Sequence, residues 1–444
     1  MSNISKEKFT FIQDKSTIYD EEFQTKAIGY YQDAWNRFKK NKASLAAAII
    51  LVIIMFFALI GPYMKTYSLP HSNDSRKWTD RLQGMPAKIH GLGWIGFDGT
   101  KTIEGYPARF ERLPEGIVIG SYSKPNAVGM VKATVDFYAY TDYIYTYETD
   151  TSLSVKEFEA LKDHHDAVTN PNDKILMPPL EDEIPEDGEY EYQYINGAYK
   201  VRVKFFKFLE VVYGFKDQNF WFGTTNAGYD LFTEMWKGLR LSLLIAFAVA
   251  ITNIFIGIII GSIMGYYGGT LDLVMDRIID ILAGLPFLAI LTLLLLRFGS
   301  APWIIVVAFV MTGWIGISSL TRTQFYRYKN REYVLAARTL GAKDIRIMSK
   351  HIFPNTIGTL ITSLVLYIPG VITSESTYSY LGILNYSGTT GFGELLAIGQ
   401  QNMMTSFHLL LFPSIVISLL ILSFNLFGNG LRDAFNPSLR GVEE

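Results

Sequence analysis

"REYVLAARTLGAKDIRIMSKHIFPN", residues 331–355, lies between two apolar segments and joins two short helix-like runs at Gly341. Glu332, Ala336 and Leu340 recur at four-residue spacing, which puts them on one helix face beside Ala337 and Gly341. Small side chains there let another surface approach the backbone closely. Gly341 suits the left-handed position that stops a helix, and a second short helix over about 343–353 is expected to end at Pro354. The spacing predicts a short helix, a sharp bend and another short helix. On spacing alone this is either a plain connector or a docking element, and the flanking segments decide what it connects.

Those flanks are apolar over the roughly 20 residues that cross a hydrocarbon core. Six such runs occur, at 45–64, about 239–265, 278–298, 301–320, 356–373 and 407–427, the fifth being short and containing Pro369. The composition agrees: 49% hydrophobic against 18% charged residues over 444 positions fits membrane segments diluted by a polar portion. A net charge of -2 argues against a nucleic-acid binder, and the absence of cysteine excludes disulfides, thiolate catalysis and zinc-thiolate sites. The expected fold is an all-α polytopic membrane protein of six spans. Asp280 and Arg297, near the ends of the third run, read as pairing groups at an interface.

Orientation follows from the basic residues. "RFKKNK", residues 37–42, directly precedes the first run, which some 44 polar residues separate from the N-terminus and which therefore reads as a retained anchor. The loop between the fourth and fifth runs carries eight basic residues (Arg322, Arg327, Lys329, Arg331, Arg338, Lys343, Arg346, Lys350) against two acids, Glu332 and Asp344. Both clusters place the same side in the cytoplasm, with both termini there and lipid headgroups as a further contact. The expected layout is a cytoplasmic tail and elbow helix at 1–44, a first span at 45–64, an extracellular segment at 65–220, a core at 221–433 with the loop at 322–355, and a tail at 434–444.

The extracellular segment reads as a β-rich, α+β domain. Residues 133–150, "ATVDFYAYTDYIYTYETD", alternate aromatic or β-branched with polar side chains, and Asn196-Gly197 sits between two further strand-like runs as a tight hairpin. One helix, 154–168, starts with Ser154 and Glu157 in capping-box spacing. The acidic run 181–191 lacks calcium-loop spacing and reads as solvated. His164 and His165 point about 100° apart on a helix and read as a surface pair, not metal ligands.

The chain resembles the inner-membrane permeases of binding-protein-dependent ABC importers, and within them the second permease subunit of dipeptide and oligopeptide transporters. Their cytoplasmic "EAA" loop is matched by "EYVLAARTLGA...HIFPN" at Ala336, Ala337, Gly341, Pro354 and Asn355. Leu335 replaces the name-giving glutamate, and Glu332 matches the subfamily's lead-in. The likeness covers 28–70 and about 218–440, including "WFGTTNAGYDLF", where Thr225 and Tyr229 replace an aspartate and an arginine, and "SESTYSYLGI", where Glu375 matches a family glutamate.

This resemblance implies a type I importer permease in a bacterial plasma membrane. It implies a second homologous permease subunit, two ATP-binding subunits that carry ATP and Mg, an extracellular lipid-anchored binding protein, and a peptide substrate. The ATPase-coupling residues are then Glu332, Ala336, Ala337, Arg338, Gly341, Lys343 and Pro354, with Glu375 either a gate or a structural hydrogen-bonding group. No G-x-x-x-x-G-K-[ST] occurs, so no catalytic, cofactor or metal site is expected on this chain, which is not itself an enzyme. Met403 and Met404 fall in an external loop suited to facing the binding protein, and the extracellular domain is read as a seat for that protein, as a cover over the partner permease, or as self-contained. A nickel or other small-solute importer subunit, a membrane receptor with an external sensor, and a transporter that runs without ATPases are the alternative readings.

Overall fold

The computed structural model describes residues 30–64, 78–120, 122–149, 151–168, 174–177, 192–215, 219–386 and 390–435. An amphipathic helix, α1 (Tyr30–Lys40), turns at Asn41 into the apolar α2 (Lys42–Met64). After the inserted segment come α7 (Leu231–Tyr267), α8 (Gly269–Ala283), α9 (Phe287–Phe298), α10 (Pro302–Tyr328), α11 (Glu332–Thr339), α12 (Asp344–Tyr380), α13 (Phe392–Gln401) and α14 (His408–Phe435). Five of these helices are long and apolar enough to cross a membrane, and α8 with α9 makes a sixth crossing if that bent pair is one span.

The bundle is built on α7 packed against α10. Between two helices in lipid there is no hydrophobic drive, so small residues that admit close backbone approach carry the contact. Gly257, Gly261 and Gly265 form such a stripe on α7: a Cβ on Gly261 would sit 2.3 Å from the Ser318 carbonyl oxygen, and one on Gly265 would sit 2.6 Å from that of Arg322. The bundle core is closed by Leu239, Ala246, Val249, Ile305, Ala308, Ile372 and Leu420.

Two spans differ from the sequence expectation. The third is not one straight helix over 278–298: α8 and α9 meet at 70° across Gly284-Leu285-Pro286, because proline cannot supply the amide that would continue α8. The fifth begins at Asp344, not near 356, and Pro354 does not end a helix there. The turn Ile347–Ile352 is a wide π-type turn. It brings Pro354 into the first positions of the α-helical Phe353–Tyr380, where an N–H is not required. Asp280 pairs within α8, with Arg277 at 2.8 Å, while Arg297 lies over the Phe298 ring.

The inserted segment is α+β, with more helix than its alternation suggests. Strands β1 (Thr100–Gly105) and β2 (Val131–Asp136) form an antiparallel pair, and β3 (Thr151–Leu153) and β4 (Leu176–Met177) flank β6 (Ala198–Val203), which also pairs with β5 (Gln193–Ile195). Asn196 and Gly197, at φ +51° and +83°, make the expected hairpin turn. Only the start of 133–150 is strand, however. Asp136 accepts from the amides of Tyr138 and Ala139 and so caps a helix, α4 (Phe137–Tyr143), followed by a wide turn to Glu148. The run after β6 likewise becomes a helix, α6 (Phe205–Tyr213), which buries Phe205, Phe206, Phe208 and Leu209. The capping box of α5 (Val155–Ala167) forms as expected, and α3 (Pro107–Glu111) closes a second small core around Phe110. The acidic run 181–191 lies outside the described residues.

The entry loop before α7 joins the two parts. Thr224 Oγ1 donates to the Leu82 carbonyl oxygen and accepts from the Met85 amide, and Phe222 stacks on Phe412 of α14 with ring centroids 4.0 Å apart. Gly223, at φ +78°, lies so close to Met85 and His408 that no side chain fits there.

Candidate functional site

The short helix α11 is held against the bundle by one face and leaves the other open. Its inner face is Val334, fully buried, which packs onto Tyr266 of α7, Phe325 of α10 and Ile347 and Ile352 of the turn entering α12; Ala337, three residues on, is buried too. The outer face carries Leu335, Ala336 and Leu340, continued past the bend by Gly341 and Ile345. Leu340 is 88% and Ile345 76% exposed, a high value for aliphatic side chains on either side of a helix corner. Apolar side chains grouped in this way beside charged ones mark a contact surface.

The corner itself is rigid. Gly341 has φ +82°, which only glycine adopts without strain, and the amides of Leu340, Gly341 and Ala342 turn back onto the carbonyls of Ala336, Arg338 and Ala337. Tyr266 at the end of α7 clasps both arms: its hydroxyl donates to Asp344 Oδ1 at 2.6 Å and receives a longer bond from Arg338 Nη2 at 3.4 Å. Asn355 Nδ2 donates to the Tyr333 hydroxyl at 3.3 Å and to the His351 carbonyl oxygen, tying α11 to the first turns of α12. One helix turn away, Arg322 of α10 bridges Asp272 and Asp276 of α8 at 2.7 Å each, and Tyr326 also donates to Asp272. The ends of α7, α8, α10 and α12 are thereby linked around the short helix.

The coupling residues named from the sequence therefore divide into four groups. Ala336 and Gly341 lie on the open ridge, with Glu332 exposed in the first turn of α11, where its charge suits the helix N-terminus. Arg338 is exposed but reaches inward to Tyr266, and Lys343 takes the N-cap position of α12. Ala337 faces the bundle, because the eight-residue helix turns its Val334 and Ala337 stripe inward; it serves the joint and not the open surface. Pro354 belongs to α12 and is not part of the ridge. The Tyr266 clasp was not read from the sequence, although "GYYGG" at the end of an apolar run was a visible signal of a helix end.

Glu375 lies far along α12, at the opposite end of the bundle. It is fully buried and accepts from Ser242 Oγ of α7 at 2.7 Å and from the Tyr386 hydroxyl at 2.5 Å. Burial and the adjacent carboxylate push the Tyr386 phenol well above its ordinary value, so it remains a donor. This network ties the 381–386 loop to α7 and α12. Met403 and Met404 are exposed in the turn before α14, Met404 at 91%. His165 accepts from the Leu176 amide through Nδ1, and no cluster of metal-ligating side chains occurs among the described residues.

A bundle of apolar helices long enough to cross a membrane, an amphipathic entry helix and a short helix clasped at the helix ends define a multi-pass membrane protein. Residues 257–441 match the model of the "Binding-protein-dependent transport system inner membrane component" family, and residues 29–83 match the "N-terminal TM domain of oligopeptide transport permease C". The chain is 40% identical over 221 residues to the dipeptide transport system permease protein DppC of Bacillus subtilis, covering 50% of this chain and 69% of that one. It is 39% identical over 220 residues to the oligopeptide transport system permease protein OppC of the same organism, covering 50% of this chain and 72% of that one. It is 27% identical over 437 residues to the dipeptide transport system permease protein DppC of Lactococcus lactis, covering 98% of each, so that match runs through the inserted segment as well. The chain belongs to the binding-protein-dependent transport system permeases.

Proposed function

We propose that this chain forms half of the translocation path of an ATP-driven peptide importer and couples to its ATPases through the ridge of α11. The observation that carries the reading is the two-sided character of that helix: Val334 and Ala337 locked to the span ends, Leu340 and Ile345 open. A rigid joint transmits displacement that a loose loop would absorb. A groove on an ATP-binding subunit that takes the Leu335, Ala336, Leu340 and Ile345 ridge would move α7 and α12 with it, through the Tyr266 clasp. Glu332, Arg338 and Lys343 would then edge the contact, with Pro354 acting from within α12.

A second homologous permease completes the path, two ATP-binding subunits carry ATP and Mg, and a lipid-anchored binding protein delivers peptide from outside. ATP hydrolysis belongs to those separate chains. The basic residues at 37–42 and in the 322–355 loop support a topology with both termini in the cytoplasm of a bacterial cell, the inserted segment outside and Met403 and Met404 facing the binding protein. The names of the relatives support peptide over nickel as the substrate.

The test is purification of the complex in mild detergent, with its chains identified and peptide uptake measured. Two ATP-binding chains and a second permease are expected with the parent. Leu340→Glu should release the ATP-binding chains while the permease pair survives, since Leu340 touches the bundle little. Full recovery of the ATP-binding chains and normal uptake with Leu340→Glu and Ile345→Glu together would refute the reading.

A further inference from the structure

Between α9, α10 and α12, at the edge of the bundle core that Phe309 and Val371 belong to, lies a cavity of about 370 Å³. This is near the lower limit of the roughly 300–1,000 Å³ range of small-molecule sites, enough for one or two residues of a peptide and not for a whole oligopeptide. Three rings form one wall: Phe287 lies 4.9 Å from Phe309 and 5.6 Å from Tyr378, centroid to centroid. Thr312, Ser374 and Tyr367 add hydroxyls, and no charged residue lines the cavity.

Tyr367 is held in place from behind. Its hydroxyl accepts from Asn253 Nδ2 at 2.9 Å, leaving its proton with only the distant Gly313 carbonyl oxygen at 3.5 Å. Gly313 is required there, because a Cβ would come within 2.3 Å of that amide nitrogen. Hydroxyls set into an otherwise aromatic and aliphatic wall are placed to meet a polar partner, which lipid tails do not supply. An aromatic wall with a few fixed donors and no ion suits an uncharged guest, since a charged side chain would lose its hydration without gaining a partner.

We propose that this cavity is a transit subsite which accepts one uncharged, apolar or aromatic side chain of the passing peptide among Phe287, Phe309 and Tyr378. The Tyr367 hydroxyl donates to a peptide carbonyl, and Thr312 and Ser374 are the further polar contacts. The subsite rests on the peptide-import reading and adds to it a selectivity inside the membrane, separate from that of the binding protein.

Gly370 offers the test. It lines the cavity, and a Cβ on it meets nothing within 4 Å, so the first atom of a side chain is accommodated there and Gly370→Leu adds bulk at the cavity wall. The assembled transporter is reconstituted with its partner chains, and uptake of Ala-Phe-Ala and of trialanine is measured under saturation of the binding protein. In Gly370→Leu the ratio of Ala-Phe-Ala to trialanine uptake should fall roughly tenfold, the scale on which a hydrophobic pocket discriminates by size. Ser374→Leu, which intrudes from the same helix one turn on, should shift the ratio in the same direction. An unchanged ratio in both variants overturns the subsite. So does loss of the second permease from both complexes, which would make this face a subunit interface. A parent complex that carries neither peptide defeats the import reading and the subsite with it, whereas a parent that carries both beside variants that do not discriminate defeats the subsite alone.

Discussion

The two ends of this molecule hold together by different means. Where α7 meets α10, contact is made by what is missing: the glycine stripe at 257, 261 and 265 brings backbones together, and charged or hydroxyl groups such as Arg322, Asp272 and Tyr266 link the ends. In the inserted segment contact is made by bulk. Trp78 packs 4.3 Å from Phe208 and Phe158 stacks 3.9 Å from Tyr199, around a core that also buries Leu153, Leu161, Val203 and Phe205. Lipid tails are as apolar as leucine, so burial gains little between spans and fit decides. The insert holds a compact aromatic core of its own, so burial of aromatic area is its main stabilisation, all the more because the chain has no cysteine.

Substitutions can break this contrast from either side. The largest stability loss is expected for Trp78→Ala, about 3–5 kcal/mol as for other buried aromatic truncations. It should appear as protease sensitivity confined to the insert, with the spans still intact in detergent. Gly261→Leu comes next. The added side chain meets the Ser318 carbonyl and Thr321, and overpacking of this kind costs about 1–3 kcal/mol. Here the bundle should suffer and the insert should not, which a lowered melting midpoint of span fluorescence beside unchanged insert proteolysis would show.

Smaller changes sharpen the comparison. Ser154→Ala removes the capping box of α5 and should lower the insert's stability by about 1 kcal/mol. Tyr266→Phe keeps the ring against Val334 and Ile347 but removes the bond to Asp344. Its expected cost is about 1 kcal/mol in stability, with a larger fall in uptake per ATP hydrolysed, since the joint would yield under load. The smallest effect concerns pH. Burial foremost, then Lys174, holds the His165 imidazole below its ordinary value of 6.5, and its Nδ1 accepts from Leu176 while neutral. The unfolded chain therefore takes up a proton first, so this contribution is present above pH 6.5 and is lost as pH falls through the folded value. A slight destabilisation of the insert below pH 6.5, absent in His165→Gln, is the expected outcome of thermal unfolding at several pH values.

The parts legible beforehand share a local cause. A span announces itself by its own apolar length, the Asn196-Gly197 turn by the backbone angles those residues accept, and the α5 start by Ser154 and Glu157 three residues apart. Residues 137–148 were misread because an alternating aromatic run fits either a strand or a short helix; Asp136, able to cap the first turn, tips the balance. Which side of α11 faces inward is not legible for a different reason. Eight residues carry too little periodicity to choose a face, and the choice is made by Tyr266, Phe325 and Ile347, from three other segments.

The sequence by itself determined a multi-pass helical protein, the end of the bundle where its basic loop lies, and the loop motif with its glycine bend, because hydropathy, charge and glycine's backbone freedom act over a few residues at a time. Only the tertiary structure decided that Ala337 is buried while Leu340 and Ile345 stand open, that Glu375 is buried and bonded to Ser242 and Tyr386, that α8 and α9 meet at 70°, and that an uncharged cavity lies beside Gly370. Each of these depends on which distant side chains arrive at the same place, and that is settled by packing between helices far apart in the chain.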